Sequence, residues 1–367
     1  MQRRKALLRI ITLLTFAFIA ALTGMGVFAA LYINEKNENN RLHGELSAAI
    51  ETVRTLDAVE VFNSYEQEPE QTQEPEQVQT QQPEQVLSEE MIEASIKQKM
   101  KDLVLGEDGS PLRMLRSFFP ENLIYYDEEE YVFSPVLDEV KKHELIPENF
   151  VETEDGEMQY VENGVITSHK GIDVSKYQGE IDWQAVKEDE IEYAFIRLGL
   201  RGYESGKLVL DEFFEQNIRG ANEAGVKAGI YFFTQAVTVE EAGEEAAFVI
   251  ENLAGYEVQY PVVFDVEMIV GANGRANNLT MQERTDIAIA FCEAIKAAGY
   301  TPMIYGNVKC FTKLLDMTRL EAYEKWYAFY DNYMYMPYLV SCWQYTESGT
   351  VAGIKGKVDM NISYKTW

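Results

Sequence analysis

Short apolar runs alternate with longer amphipathic stretches over the second half of the chain. Val262, Val263 and Phe264 form one such run, of β-branched and aromatic type, opened by Pro261. Because such runs recur with helical stretches between them, the pattern predicts strand–helix units and a largely parallel sheet. The predicted strands are 171–175, 193–198, 227–233, 261–267, 302–305, 325–330, 341–345 and 357–360.

Helical periodicity is confined to the segments between the first five of these strands. It predicts helices around 183–186 and at 211–224, 239–254 and 280–298, the last of them capped by Thr280 and ended by Gly299. Eight strands within residues 169–367, the last three poor in helix, predict an α/β fold, an irregular TIM-like β/α barrel. An open doubly wound sheet is the alternative.

An uncharged apolar run of 24 residues extends from Ile10 to Ile33. Its length matches the roughly 20 residues that a helix needs to cross a bilayer. Four basic residues precede the run, which predicts a single-pass membrane protein whose C-terminal part lies outside the cell. The alternative is a secreted protein, with a signal peptide cleaved after the small residues near Val27-Phe-Ala29.

The residues between this run and the barrel change character twice. Residues 65–87 carry repeated Pro, Gln and Glu, which predicts a disordered linker. Residues 88–168 regain apolar content and predict a small accessory module or extension without chemistry of its own. Before the linker, a heptad-like spacing predicts a stalk helix that stands alone or pairs two chains in a weak homodimer, through Leu42, Leu46, Ala49, Val53 and Leu56.

These patterns divide the chain into five predicted parts. They are a cytoplasmic tip and transmembrane anchor, a helical stalk, a linker, an accessory module and a barrel, at residues 1–34, 35–64, 65–87, 88–168 and 169–367.

Composition excludes several classes of function. The chain has 61 acidic and 32 basic residues, a net charge of −29, which argues against a nucleic-acid partner. Its three histidines, His43, His143 and His169, lie away from the predicted strand ends at 265–267 and show no metal-ligand spacing. A Ser-His-Asp site and a histidine zinc site are therefore not expected, and neither a metal nor another cofactor is predicted.

The candidate chemistry is acidic. Asp265 and Glu267 end the predicted strand 261–267, and residues i and i+2 of a strand project to the same side. Each raises the proton affinity of the other, which suits a general acid for glycosidic bond cleavage. Such a pair alone is far more often two solvated carboxylates where a strand meets a loop, because so short a motif recurs by chance. In a closed barrel, however, Asp173 at the end of the first strand and Asp359 at the end of the eighth join them at the C-terminal face.

Five motifs in this order resemble those of family 25 glycoside hydrolases. They are Gly171-Ile-Asp-Val-Ser-Lys-Tyr-Gln-Gly179, Pro261-Val-Val-Phe-Asp-Val-Glu267, Pro302-Met-Ile-Tyr305, Trp343-Gln-Tyr345 and Val358-Asp-Met-Asn361. The resemblance implies a muramidase that cuts the β-1,4 bond between N-acetylmuramic acid and N-acetylglucosamine in peptidoglycan glycan strands. It also implies Glu267 as general acid, with Asp265, Asp173 and Asp359 around it, in an irregular β/α barrel.

Two segments depart from the family's pattern. Many members carry Tyr-His-Phe where this chain has Tyr231-Phe-Phe233, and Thr-Glu-Gly where it has Arg197–Tyr203. Both affect contacts that select among peptidoglycan variants. Tyr231, Tyr305 and Trp343 are expected to stack on sugar rings, although each could equally be a core aromatic.

The sequence leaves alternatives open for both the mechanism and the function. The 2-acetamido group of the muramic acid could attack the anomeric carbon with the help of Asp265, and sequence slightly favours this route. A retaining enzyme with a protein nucleophile and an inverting enzyme stay open. The alternative functions are a non-catalytic peptidoglycan-binding wall scaffold and a barrel hydrolase acting on another polysaccharide.

Overall fold

The computed structural model describes residues 95–101 and 110–367. All of them lie within one compact unit, Leu87–Trp367. Among them, no helix is long and apolar enough to cross a membrane. The predicted anchor at 10–33, stalk at 35–64 and linker at 65–87 lie outside the described residues.

A small module precedes the barrel. Helical residues 95–101 (α1) are followed by α2 (Pro111–Phe118) and by an antiparallel hairpin of β1 (Asn122–Asp127) and β2 (Glu130–Pro135). Glu128 and Glu129 turn this hairpin with positive φ angles of 48° and 69°, as a two-residue hairpin turn requires. A second antiparallel sheet contains β3 (Phe150–Glu152), β4 (Met158–Glu162) and β5 (Val165–Ile166).

Eight strands close into a barrel, because the first of them pairs with both the second and the last. A ninth strand, β8 (Leu208–Leu210), extends the sheet antiparallel to the second barrel strand. The barrel strands are β6 (His169–Val174), β7 (Tyr193–Arg201), β9 (Lys227–Phe233), β10 (Val262–Asp265), β11 (Pro302–Asn307), β12 (Glu324–Ala328), β13 (Cys342–Gly349) and β14 (Val358–Ser363).

Four helices follow the first four barrel strands. They are α3 (Trp183–Glu188), α4 (Phe214–Ala224), α5 (Val239–Asn252) and α6 (Met281–Ala297). The predicted cap of the last helix is confirmed: Thr280 and Glu283 form a reciprocal capping box, and Gly299 follows the helix with a φ of 92°. The outward side chains of the strands and the inner faces of these helices form the main hydrophobic core.

The predicted fold class is wrong. A TIM-like barrel has eight parallel strands, each followed by a helix, whereas β14 runs antiparallel to both β13 and β6. The segment 350–357 between β13 and β14 is too short for the crossover of a dozen or more residues that a parallel pair needs. The fold is an eight-stranded closed β-barrel, and the described residues provide no support for the predicted transmembrane helix.

Aromatic side chains fill the barrel interior, so the barrel is a packed core rather than a pore. Phe195 stacks on Trp326 with 4.4 Å between ring centroids, and Tyr193 stacks on Tyr260 at 4.4 Å. A Cβ atom on Gly171 would lie 2.2 Å from the Tyr193 ring, so only glycine fits at that position of β6. This aromatic layer closes the barrel below the end that carries the acids.

Candidate active site

The structure brings the four predicted acids together at one end of the barrel. Asp265 is the last residue of β10, Glu267 follows two residues later, and Asp173 lies one residue before the end of β6. Asp359 pairs with Asp173 in the register of β14 and β6. Asp359 stands near the start of its strand and not at its end as predicted; because β14 is antiparallel, its beginning meets the C-terminal ends of the other strands.

Asp173 and Asp359 share a hydrogen bond across these two strands. Burial raises the pKa of Asp359 to about 8, and the negative charge of Asp173 acts in the same direction. Burial also raises the pKa of Asp173 to about 6, against the hydrogen bonds that its carboxylate accepts. Two of these come from Asn361 Nδ2 at 2.9 Å and Gln344 Nε2 at 2.8 Å. At neutral pH Asp359 therefore carries the proton and donates it to Asp173.

Asp265 and Glu267 form a second hydrogen-bonded pair. Burial raises the pKa of Asp265, which is only 3% exposed, well above its usual range, and the charges of Glu267 and Asp173 add to this rise. The Glu267 side chain reaches solvent but is densely surrounded by protein, and this desolvation raises its pKa too. The hydrogen bond from Asp265 opposes that rise. In this hydrogen bond Asp265 is the donor and Glu267 is the acceptor.

The turn after β9 fixes the backbone of this pair. Thr234 N donates to Asp265 O at 3.1 Å, and Thr234 Oγ1 donates to Glu245 Oε2 at 2.7 Å. The buried Glu245 carboxyl also accepts from Arg201 Nε at 2.8 Å, and burial raises its pKa to about 7. On the other side, Cys310 Sγ donates to Val266 O at 3.0 Å. The acids therefore project from a backbone that is held on both sides.

Two of the three predicted sugar-stacking residues lie at this end of the barrel. Tyr305 is half-buried, and its hydroxyl donates to Gln344 Oε1 at 2.8 Å. Tyr231 is also half-buried, with its ring centroid 6.2 Å from that of Trp326 in the layer below. Tyr305 pairs in register with Asp265, and the charges of Asp173 and Asp265 raise the pKa of Tyr231, so both rings lie near the acids.

Trp343 lies elsewhere, and the structure does not allow its predicted role. Its side chain is 0% exposed, and its Nε1 donates to Phe329 O at 2.7 Å. Its ring packs edge-on against Phe150 of the preceding module, at 5.5 Å between centroids. Because side chains alternate along β13, Gln344 faces the acids and Trp343 faces outward.

Comparison with known proteins identifies the barrel. Residues 172–354 match the family model described as Glycosyl hydrolases family 25. These residues belong to that family. The chain is 29% identical over 203 residues to the uncharacterized protein YegX of Escherichia coli K12, covering 52% of this chain and 68% of YegX. It is 26% identical over 195 residues to the autolytic lysozyme of Clostridium acetobutylicum, covering 52% of this chain and 55% of that protein.

The comparison with solved structures found the modular autolysin LytC of Streptococcus pneumoniae. The two are 25% identical with a TM-score of 0.48, over 66% of this chain and 56% of the autolysin. The chain thus spans little more than half of that protein's length.

The family 25 barrel also carries site residues that the sequence analysis missed. Gln344 and Asn361 bind the carboxylate of Asp173, and both belong to motifs already quoted for the resemblance. Asn361 could have been predicted from the sequence, because it stands two residues after Asp359 and side chains two apart on a strand face the same side. Tyr330 donates to Gln344 Oε1 at 3.0 Å and is 50% exposed. It lies in a loop, where no periodic signal marks it.

One cation lies among these acids, in the segment where this family 25 barrel departs from the pattern. Arg197 is 9% exposed, and its Nε donates to Asp211 Oδ2 at 2.8 Å. The guanidinium lies 5.0 Å from the ring centroid of Tyr177, a side chain that is 77% exposed. Its positive charge opposes the rise in the pKa of Asp265. The site is therefore not purely acidic.

Proposed function

We propose that this chain is a peptidoglycan muramidase that hydrolyses the β-1,4 bond between N-acetylmuramic acid and N-acetylglucosamine, with Glu267 as general acid and Asp265 assisting. Membership of family 25 supports the reaction class, and the autolytic lysozyme among its relatives supports the substrate. The observation that carries the proposed roles is the hydrogen bond between the carboxyl groups of Asp265 and Glu267 at the open end of the barrel, where the pKa of each is raised.

The closeness of these two carboxyl groups favours a substrate-assisted mechanism. An acid and a protein nucleophile on opposite faces of the sugar stand about 5 Å apart or more, whereas these two are hydrogen-bonded. Asp265 therefore serves on the same side as Glu267 and is not the nucleophile. The nucleophile is the carbonyl oxygen of the 2-acetamido group, which attacks C1 as Glu267 protonates the leaving oxygen.

Asp265 prepares both partners for this step. In this proposal the Asp265 carboxyl group accepts the N–H of the acetamido group of the bound substrate. A hydrogen bond to the charged form of a carboxyl group favours that form. Substrate binding therefore moves the proton from Asp265 to Glu267, where the leaving oxygen needs it. Water then opens the cyclic intermediate and gives its proton to the Glu267 carboxylate.

Asp173 and Asp359 supply charge rather than protons in this proposal. Since the pKa of Asp173 is about 6 and that of Asp359 about 8, the pair carries one negative charge at neutral pH. A fixed carboxylate beside the reacting centre stabilises the positive charge that develops on the sugar ring.

A muramidase of this kind works outside the cytoplasm, so extracellular placement of the barrel is part of the proposal. Attachment to the membrane and pairing of two chains stay predictions from sequence, since residues 10–33 and 42–56 lie outside the described residues.

The test is product analysis with the full chain and purified peptidoglycan. The products are reduced with borohydride and identified by mass. We expect reduced N-acetylmuramic acid at the new ends, and none with Glu267→Gln. Reduced N-acetylglucosamine ends would indicate a different bond, and binding without cleavage would indicate the non-catalytic scaffold.

A further inference from the structure

The loop between β12 and β13 places one exposed aromatic side chain beside the acids. Tyr330 is 50% exposed, and its hydroxyl reaches Gln344, which in turn binds Asp173. Burial of the hydroxyl raises the pKa of Tyr330, and the charges of Asp359 and Asp173 act in the same direction. A tyrosine with an open ring face and an anchored hydroxyl is suited to stack on a sugar ring.

The barrel holds this loop at its two ends. Phe329 N donates to Gln344 O at 3.0 Å, and Trp343 Nε1 donates to Phe329 O at 2.7 Å. At the far end, the Tyr327 hydroxyl donates to Tyr335 O at 2.9 Å.

Arg116 of α2, in the module that precedes the barrel, holds the same loop from the opposite side. Its Nη1 donates to the hydroxyl of Tyr333 at 2.7 Å, and its Nε donates to Ile124 O in β1 at 3.0 Å. Its guanidinium carbon lies 3.9 Å from the ring centroid of Tyr335 and 5.1 Å from that of Phe329. One side chain thus contacts residues on both sides of Tyr330 in the sequence.

Arg113, one helical turn earlier, extends this contact. Its Nη2 donates to Asp331 Oδ1 at 3.1 Å and to Asn332 Oδ1 at 3.0 Å, and its guanidinium lies 4.5 Å from the ring centroid of Tyr333. β1 completes the attachment, because Ile124 N donates to the Tyr335 hydroxyl at 2.7 Å.

These module residues lie outside the part of the chain that matches family 25, residues 172–354. We propose that the module of α2 and β1 is a positioning element of the active site, which through Arg116 holds the loop 329–335 so that Tyr330 contacts the bound glycan strand. The proposal rests on the proposed muramidase function. It gives a role to the accessory segment, for which the sequence predicts no chemistry.

A double-mutant cycle separates positioning from general stability, because residues that act through one another are not additive. The full chain, Arg116→Ala, Tyr330→Ala and the double variant are assayed on soluble peptidoglycan fragments of one length, and melting temperatures are measured alongside. We expect Arg116→Ala to lower kcat/KM by roughly 10- to 100-fold, as a displaced contact residue does. In the Tyr330→Ala background, Arg116→Ala should lower kcat/KM by less than about twofold. The loss in melting temperature from Arg116→Ala should be equal in both backgrounds.

Two further variants separate the loss of one contact from a general effect of removing an arginine. Tyr333→Phe removes only the acceptor of Arg116 Nη1 and keeps the ring, so it should lower kcat/KM with little loss of stability. Arg219→Ala is the matched control, since Arg219 is an exposed arginine of α4 that contacts Glu215 at 3.8 Å and lies 5.9 Å from the ring centroid of Tyr256. Its kcat/KM should be unchanged.

An equal loss of kcat/KM from Arg116→Ala in both backgrounds would overturn the proposal, as would no loss in the chain that keeps Tyr330. If the unsubstituted chain cuts no peptidoglycan, the proposed function fails and this proposal fails with it. Cleavage by the unsubstituted chain with unchanged rates in Arg116→Ala refutes the positioning role alone.

Discussion

Asp359 and Asp173 stand directly opposite each other on antiparallel strands and are joined by a hydrogen bond. Like charges at directly opposed positions destabilise a sheet. The pair avoids this repulsion because burial keeps the proton on Asp359, whose pKa is about 8, while two side-chain amides hold the carboxylate of Asp173.

Asp359→Asn is expected to make stability less dependent on pH. The folded-state pKa of Asp359, about 8, lies above the unfolded value of about 3.9, so its contribution is complete below about pH 4 and is lost as pH rises through 8. The asparagine does not titrate and can still donate to Asp173. The variant should therefore gain stability over the original chain between pH 4 and 8, by about 1–3 kcal/mol at pH 8. Urea unfolding at a series of pH values measures the free energy of unfolding of both chains. If the difference between the two does not change with pH, Asp359 does not carry the proton.

Asp265→Asn should slow the chemical step more than it weakens binding. The amide removes the charge that the cyclic intermediate needs, and it cannot share a proton with Glu267. We expect kcat to fall by roughly 100- to 1,000-fold with a small change in KM. Steady-state kinetics on soluble fragments decide this, and a rise in KM alone would assign Asp265 to binding.

The substrate-assisted route predicts retention of configuration. Attack by the acetamido oxygen and then by water inverts the anomeric carbon twice, so the first product is the β-anomer of N-acetylmuramic acid. Proton NMR taken before mutarotation is complete shows which anomer forms. An initial α-anomer would indicate a single attack by water and an inverting enzyme.

Hydrolysis is expected to continue in EDTA. No group of three or more His, Cys, Asp or Glu side chains in the described part of the chain is arranged to hold a metal ion. Carboxylates alone can bind Ca²⁺ or Mg²⁺, so a metal-free mechanism stays a prediction. Loss of activity in EDTA that added Ca²⁺ or Mg²⁺ restores would show that the site uses a cation.

Local patterns were sufficient for much of the barrel. The apolar run at 227–233 coincides with β9, and the helix predicted at 280–298 is α6 with its cap. The acids Asp173, Asp265 and Glu267 lie at the predicted strand ends because the direction and period of those strands fix where their last side chains project.

The missed features depend on contacts between distant residues. The direction of β14 is set by its pairing with β13 and β6. The sequence of residues 357–360 alone does not predict that direction. The predicted sugar contact of Trp343 is wrong because neighbouring residues of a strand face opposite sides, and Gln344 is the one that faces the acids. Tyr330 lies in a loop whose position depends on Arg116, more than 200 residues earlier in the chain.

The most direct test of the account is Glu267→Gln in the full chain. The glutamine is nearly the same size but cannot donate the proton to the leaving oxygen, so kcat should fall by roughly 100- to 10,000-fold. The melting temperature should stay equal or rise, since the change removes a carboxyl group from a crowded acidic site. The release of reducing ends from peptidoglycan measures the rate of cleavage, and thermal unfolding of the same samples measures the melting temperature. A folded variant that cleaves within a few-fold of the original rate would contradict the assignment of Glu267 as the general acid.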